Sequence, residues 1–162
     1  MDIFTMVLKG HISVATFTSK KKVKGSELDK KARTWLNKRN LDYPHGTGHG
    51  VGFFLNVHEG PCSFSKNNNS NIKEGMILSN EPGYYQKNKF GIRIENLIYV
   101  VKKNGLISFK NLTLAPIDKD LINFNLLNKN EKNYLKSYNQ NIYDKIGKYL
   151  NLKERKWLEN LF

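Results

Sequence analysis

One imidazole and two carboxylates, those of His49, Glu81 and Glu95, stand in segments of distinctive local composition. The segments are His45-Gly46-Thr47-Gly48-His49-Gly50-Val51-Gly52, His58-Glu59-Gly60-Pro61, Glu81-Pro82-Gly83-Tyr84-Tyr85 and Phe90-Gly91-Ile92-Arg93-Ile94-Glu95-Asn96. Imidazole nitrogen and carboxylate oxygen are the donors that hold divalent cations which activate water for hydrolysis. If folding gathers the three, metal-dependent hydrolysis is the chemistry. Taken singly, each residue has a plainer account: a lone histidine is more often a hydrogen-bonded surface or core residue, and Arg93 with Glu95 can be an ordinary ion pair.

Spacing limits how these groups can combine. His45 and His49 lie four residues apart, as in a helical zinc site, but Pro44, Gly46 and Gly48 all oppose a helix there. On an extended path four steps cover about 13 Å, so the two imidazoles do not share an ion and one serves elsewhere in the cleft. The glycines at 46, 48, 50 and 52 leave one strand face as bare backbone, where a substrate or a second strand approaches closely. A strand over 90–101 would direct Arg93 and Glu95 to one face and Ile92 and Ile94 to the other, so the guanidinium can hold the carboxylate ionised and oriented. Glu81 precedes Pro82, which biases it to extended backbone at the end of the run Met76-Ile77-Leu78. His58 follows Leu55 and Val57 on a further strand and precedes a turn at Glu59-Gly60-Pro61.

The elements that must position these residues are legible in outline. Phe4, Val7, Leu8, Ile12 and Ala15 predict a helix over 3–17 with one buried stripe. Ser26 with Asp29 approximates a capping box for a second helix that runs through Leu28, Ala32, Trp35 and Leu36 to Asn40. Between them Lys20-Lys21-Lys22-Val23-Lys24 is a charged loop. From about 43 to 117 short apolar runs alternate with glycine, proline and asparagine, the texture of strands and turns. Lys66-Asn67-Asn68-Asn69-Ser70-Asn71 is a polar loop. Asn128 with Glu131 caps a third helix, striped by Leu135, Tyr138, Ile142, Ile146 and Tyr149, and a last short one spans 152–161 with Trp157. Helix pair, sheet, helix pair is an α+β order, with the first helices packed across the back of the sheet.

Composition narrows the classes. A chain of 162 residues with 39% apolar and 12% aromatic residues can bury a core of its own and is not disordered. Its 27 basic against 14 acidic side chains leave a charge of +13. The lysines are scattered through helices and loops, which describes a solvated surface rather than a nucleic-acid-binding face. Cys62 is the single cysteine, so no internal disulfide forms and a reducing compartment is expected. Its neighbours Pro61 and Ser63 supply no base or positive charge to activate the thiol. No apolar run reaches membrane-spanning length and the N-terminus carries no secretory core, so a cytoplasmic protein is expected.

The four segments together closely resemble the C-terminal part of the catalytic domain of aminopeptidase P, the Xaa-Pro aminopeptidases among the creatinase-like or pita-bread metallopeptidases. The likeness extends from Phe4-Thr5-Met6-Val7-Leu8-Lys9-Gly10-His11 through the site segments to Leu112-Thr113-Leu114-Ala115-Pro116-Ile117 and the helix over 128–149. It implies a partial pita-bread fold, a curved, mostly antiparallel sheet backed by helices, over 1–117. A helical C-terminal extension over 118–162 would resemble the eukaryotic cytosolic type, where it contributes to homodimer contacts. By the same resemblance His49, Glu81 and Glu95 match metal ligands of a dinuclear site usually filled by manganese, with Glu95 bridging. Glu81 also looks like the group that handles the proton of the attacking water, His45 and His58 like residues that steady substrate, and Arg93 like a partner of the ligand cluster. The implied reaction is release of the N-terminal residue from peptides with proline in second position.

The chain departs from that family in one respect. Aminopeptidase P uses two further aspartates from a hairpin that comes before the first helix, and Asp2 stands too close to that helix to be either. The expectation is therefore a C-terminal fragment of a longer enzyme that binds at most one ion weakly and hydrolyses little by itself, since two cations about 3.5 Å apart need several bridging oxygens. The alternative function is a non-catalytic pita-bread module that binds peptides or proteins. A third is a relative acting on dipeptides or on initiator methionine.

Overall fold

The computed structural model describes residues 1–54 and 56–161. Leu55, assigned from sequence to the strand before His58, lies outside them. Among the described residues, helices α1 (Asp2–Ala15) and α2 (Gly25–Asn37) precede seven strands: β1 (Gly48–Gly50), β2 (Glu59–Phe64), β3 (Ile77–Asn80), β4 (Gly83–Gln86), β5 (Phe90–Arg93), β6 (Asn96–Lys103) and β7 (Leu106–Asn111). Two 3-10 turns, Lys119–Leu121 and Phe124–Leu126, lead to α3 (Lys129–Ile146) and, after a third turn, to α4 (Leu152–Glu159). The expected α+β order holds. The chain divides into two compact units, one of Met6–Thr113 and another of Met1–Thr5 with Leu114–Phe162.

In the first unit every strand pairing is antiparallel, in a five-stranded sheet ordered β2-β1-β3-β6-β7 and a two-stranded one of β4 and β5. Two-residue alternation turns Ile98 and Val100 of β6, Ile107 and Phe109 of β7, Leu78 of β3, and Cys62 and Phe64 of β2 toward Val14 of α1 and Leu28 and Ala32 of α2, forming one core. From Met6 to Ile12 every residue of α1 is buried, including Lys9 and His11, so the helix has no single apolar stripe. A helix enclosed on most sides is coded by general apolarity rather than by a 3.6-residue stripe. Gly10 permits that enclosure, because a Cβ there would meet the Ala32 carbonyl oxygen of α2 at 2.2 Å.

Three local expectations are corrected. The start of α2 is capped by Glu27, whose carboxylate accepts the Lys24 N–H at 2.9 Å, rather than by Ser26 with Asp29. Asp29 is buried and serves the site instead. Glu59-Gly60-Pro61 is not a turn after a strand but the beginning of β2, and proline is tolerated there because β2 is an edge strand. The strand expected over 90–101 is interrupted at Ile94 and Glu95, where pairing passes from β4 to β3. Facing this break, Pro82 lacks the N–H a continuous ladder needs.

In the second unit α3 begins with the expected box: Asn128 Oδ1 accepts the Glu131 N–H at 2.9 Å and Glu131 Oε2 accepts the Asn128 N–H at 2.8 Å. Asn151 and Glu154 repeat the device on α4. Tyr138, Ile142 and Leu158 form the buried centre, and Trp157 is 58% exposed.

Candidate functional site

Register explains how the acidic groups come together. Asn80 pairs with Asn96 and Gly83 with Arg93, so one step forward on one strand matches one step back on the other across the gap. β3–β4 and β5–β6 are therefore the two arms of one long hairpin, with Glu81 facing Glu95 and Pro82 facing Ile94; Ile94 donates its N–H to the Pro82 carbonyl at 3.2 Å. Since Pro82 and Ile94 hold the place of a hydrogen-bonded pair, Glu81 and Glu95 hold that of the adjoining non-bonded one, the type whose Cα atoms lie about 4.5 Å apart in a regular ladder. Ser79, Glu81, Gly83 and Tyr85 on one arm share a face with Gly91, Arg93 and Glu95 on the other.

His49 joins that face from β1. Its neighbours Gly48 and Gly50 make this possible, because a Cβ would lie 2.0 Å from the Ser79 carbonyl at the first and 2.1 Å from the Glu59 carbonyl at the second. The bare strand face expected from the alternating glycines is thus filled by adjoining strands. Ser79 Oγ accepts the His49 N–H at 2.9 Å and donates to Glu81 Oε1 at 3.0 Å. The Glu81 N–H donates to the Thr47 carbonyl at 2.8 Å. His49 Nε2 then stands 3.1 Å from Glu81 Oε1.

His49 Nδ1 lies 2.9 Å from the Gly50 carbonyl, a contact that requires the ring proton on Nδ1. In the neutral ring the Nε2 lone pair then faces a carboxylate oxygen, an arrangement that a proton or a metal cation between them relieves. Two donors each about 2.1 Å from a common cation, at roughly a right angle, would lie about 3 Å apart, so the pair suits one divalent ion. Glu95 is exposed on the link between β5 and β6, and among the described residues no three histidine, cysteine or acidic side chains form a group able to hold a metal. His49 and Glu81 are therefore gathered as donors, while Glu95 is brought opposite Glu81 by register without joining them.

Beside this pair runs a second chain of contacts. Arg93 Nη1 lies 3.5 Å from Glu81 Oε2, and Arg93 Nε donates to the Tyr85 hydroxyl at 2.8 Å. His45 Nδ1 contacts the Gly46 carbonyl at 2.7 Å, which leaves Nε2 to accept the Tyr85 O–H at 2.9 Å. Partial burial works against the Arg93 charge, but the Tyr85 hydrogen bond and the charges of Tyr85, Glu81 and Glu95 outweigh it and raise the guanidinium pKa. His45 and His49 thus serve different neighbours, as their spacing predicts. His58 is exposed and packs its ring on His49 with centroids 4.1 Å apart.

Two groups of positioning residues escaped the sequence reading. Tyr85 links His45 to Arg93, and period two from Glu81 through Gly83 could have placed it on the site face. The other is Arg33, 4% exposed, which donates to Asp29 at 2.9 Å, Asp42 at 2.6 Å, the Tyr43 carbonyl at 2.9 Å and the His45 carbonyl at 2.5 Å. Asp29 in turn accepts from Thr47 Oγ1 at 2.7 Å, and Thr47 shares a short hydrogen bond with Tyr43. The i, i+4 spacing of Asp29 and Arg33 was the available signal, but their remote partners were not readable.

The profile of metallopeptidase family M24 matches residues 1–102, and that of the C-terminal region of peptidase M24 matches residues 105–161. Xaa-Pro aminopeptidase 1 of Dictyostelium discoideum is 44% identical over 173 aligned positions, covering 99% of this chain and 28% of that protein. An X-prolyl aminopeptidase of Caenorhabditis elegans, described as a cytosolic enzyme with a di-nuclear active site, superposes with a TM-score of 0.92 at 38% identity, over 98% of this chain and 28% of its own. The prolidase of Pyrococcus furiosus superposes with a TM-score of 0.61 at 31% identity, over 69% of this chain. The fold is therefore that of the pita-bread peptidases, and the chain spans little more than a quarter of the length of the aminopeptidases it matches.

Proposed function

Because the chain belongs to metallopeptidase family M24, we propose that it carries part of the active centre of an Xaa-Pro aminopeptidase, which releases the N-terminal residue from peptides with proline in second position. The observation that carries this reading is the 3.1 Å approach of His49 Nε2 to Glu81 Oε1, with Glu95 opposite Glu81 in the hairpin register. His49, Glu81 and Glu95 are the proposed ligands of divalent metal, two ions in the full-length enzymes and manganese by preference. The metal would supply Lewis acidity toward the scissile carbonyl and toward water. Glu81 Oε1 accepts from Ser79, which holds the carboxylate still while it handles the water proton. Arg93 sets its positive charge beside Glu81, and through Tyr85 it orients His45. His58, exposed against His49, is placed to meet the peptide.

With two donors gathered, this chain is expected to take up at most one manganese ion, weakly, and to turn over Xaa-Pro peptides far more slowly than a full-length relative. Titration with manganese, together with a peptide-release assay on the same sample, tests both expectations. Turnover close to that of a full-length relative would overturn the one-ion limit. Absence of any metal uptake, with binding of proline-containing peptides retained, would favour the non-catalytic module. We place the protein in the cytosol and assign residues 118–162 to homodimer contacts, which sedimentation at several concentrations tests.

A further inference from the structure

The break in the long hairpin leaves one acceptor without its usual donor. Ile94 gives its N–H to the Pro82 carbonyl, but Pro82 has no N–H to return, so the Ile94 carbonyl lacks a cross-strand partner beside Glu95. His11 of α1 is fully buried, and its ring faces the backbone of Ile94 and of Asn80, the residues immediately before Glu95 and Glu81. Both contacts oppose the lowering of the ring's pKa that burial brings, as a backbone carbonyl facing a ring N–H would. Neither His11 nitrogen completes a hydrogen bond by strict geometry, and Asn80 Oδ1 beside it is likewise unpartnered. Asn80 Nδ2 donates to the His11 carbonyl at 3.0 Å, so helix and strand end are already tied at this point. Among the described residues these three atoms are the buried side-chain polar atoms without a partner, and they belong to two residues tied by that hydrogen bond.

We propose that His11 is a positioning residue that supplies the ladder donor Pro82 cannot, its imidazole N–H holding the Ile94 carbonyl and so fixing the spacing of Glu81 and Glu95. This deepens the peptidase reading, on which the importance of that spacing rests. The role requires a donor of imidazole reach at position 11, a requirement absent from a site that merely needs filling. It also predicts that a restored N–H at position 82 makes His11 dispensable.

Amide hydrogen exchange of the protein without metal tests the proposal. Replacing His11→Leu should accelerate exchange at the Ile94 and Glu81 amides about tenfold beyond any change shared with β6 and β7, the effect of one lost buried hydrogen bond. His11→Gln, which keeps a donor of similar reach, should restore near-original rates. In a Pro82→Ala background, H11L should have little further local effect. Additive effects of H11L and P82A, or equal acceleration at all amides, would overturn the proposal. If H11L does not fold, His11→Met takes its place in the same cycle. Because no metal or substrate enters the measurement, a chain that binds no manganese would refute the peptidase reading and leave this result standing.

Discussion

Replacing Arg33 by methionine is the most demanding single test of how the His45–His49 segment is held. The substitution removes four hydrogen bonds, to Asp29, Asp42 and the carbonyls of Tyr43 and His45, while keeping most of the buried length of the side chain. Asp29, only 1% exposed, would keep the Thr47 hydroxyl as donor but lose its counter-charge. Removing one partner of a buried ion pair costs about 3–5 kcal/mol, because the remaining charge is left in a medium that solvates it poorly. Against a typical domain stability of about 5–15 kcal/mol, R33M should lose about a fifth or more of the total. Replacing both partners, Arg33→Met with Asp29→Leu, removes the stranded charge and should recover much of the loss. Urea unfolding of the four members of this cycle measures the coupling. The reasoning fails if R33M costs less than about 1 kcal/mol, the worth of an exposed pair, or if the double variant is no more stable than R33M.

Two further outcomes follow from burial. His11, enclosed by α1 and the strand ends, has its pKa lowered to about 4 from 6.5, with desolvation the largest cause and the contacts to Ile94 and Asn80 opposing it. The unfolded chain then binds more protons than the folded one between those values, so folding stability should fall by about 2 kcal/mol from pH 7 to pH 5 through this group. H11Q should lose that part of the pH dependence in urea unfolding, and an unchanged slope would contradict it. The Cys62 thiol, 4% exposed and pushed up to about 11 by burial, should resist a thiol reagent at pH 8 until the protein is unfolded. Rapid labelling of the folded chain would contradict its place in the core.

The helices and strands were legible where a periodic pattern met a polar boundary. Asn128 with Glu131 announced α3 because both halves of its capping box are local, whereas the start of α2 was misassigned because Glu27, not Asp29, reaches back to its cap. The buried sides of α1 were unreadable, since Lys9, Gly10 and His11 are enclosed by other elements and not by any pattern within the helix. His45 and His49 have different side-chain partners, Tyr85 and Glu81, as two residues four steps apart on extended backbone can. Spacing could not reveal that Arg33, ten and twelve residues before Tyr43 and His45, would donate to their carbonyls.

The interruption at Pro82 shows why the reading of Arg93 and Glu95 on one continuous strand was incomplete. Proline removes a single donor, so the ladder breaks locally, but the register on either side remains the same and the face is preserved across the gap. Carboxylates held in two uninterrupted ladder strands would lose little freedom on meeting a cation, and would also gain little room to adjust. At the break, Glu81 is fixed by Thr47 and Ser79 while Glu95 stays exposed. On the proposed ligation, one arm of the hairpin would present a preset donor and the other an adaptable one. On this arrangement Glu81→Gln should abolish manganese uptake while Glu95→Gln only weakens it. Equal losses in the two variants would mean that the exposed carboxylate is as firmly committed as the buried one.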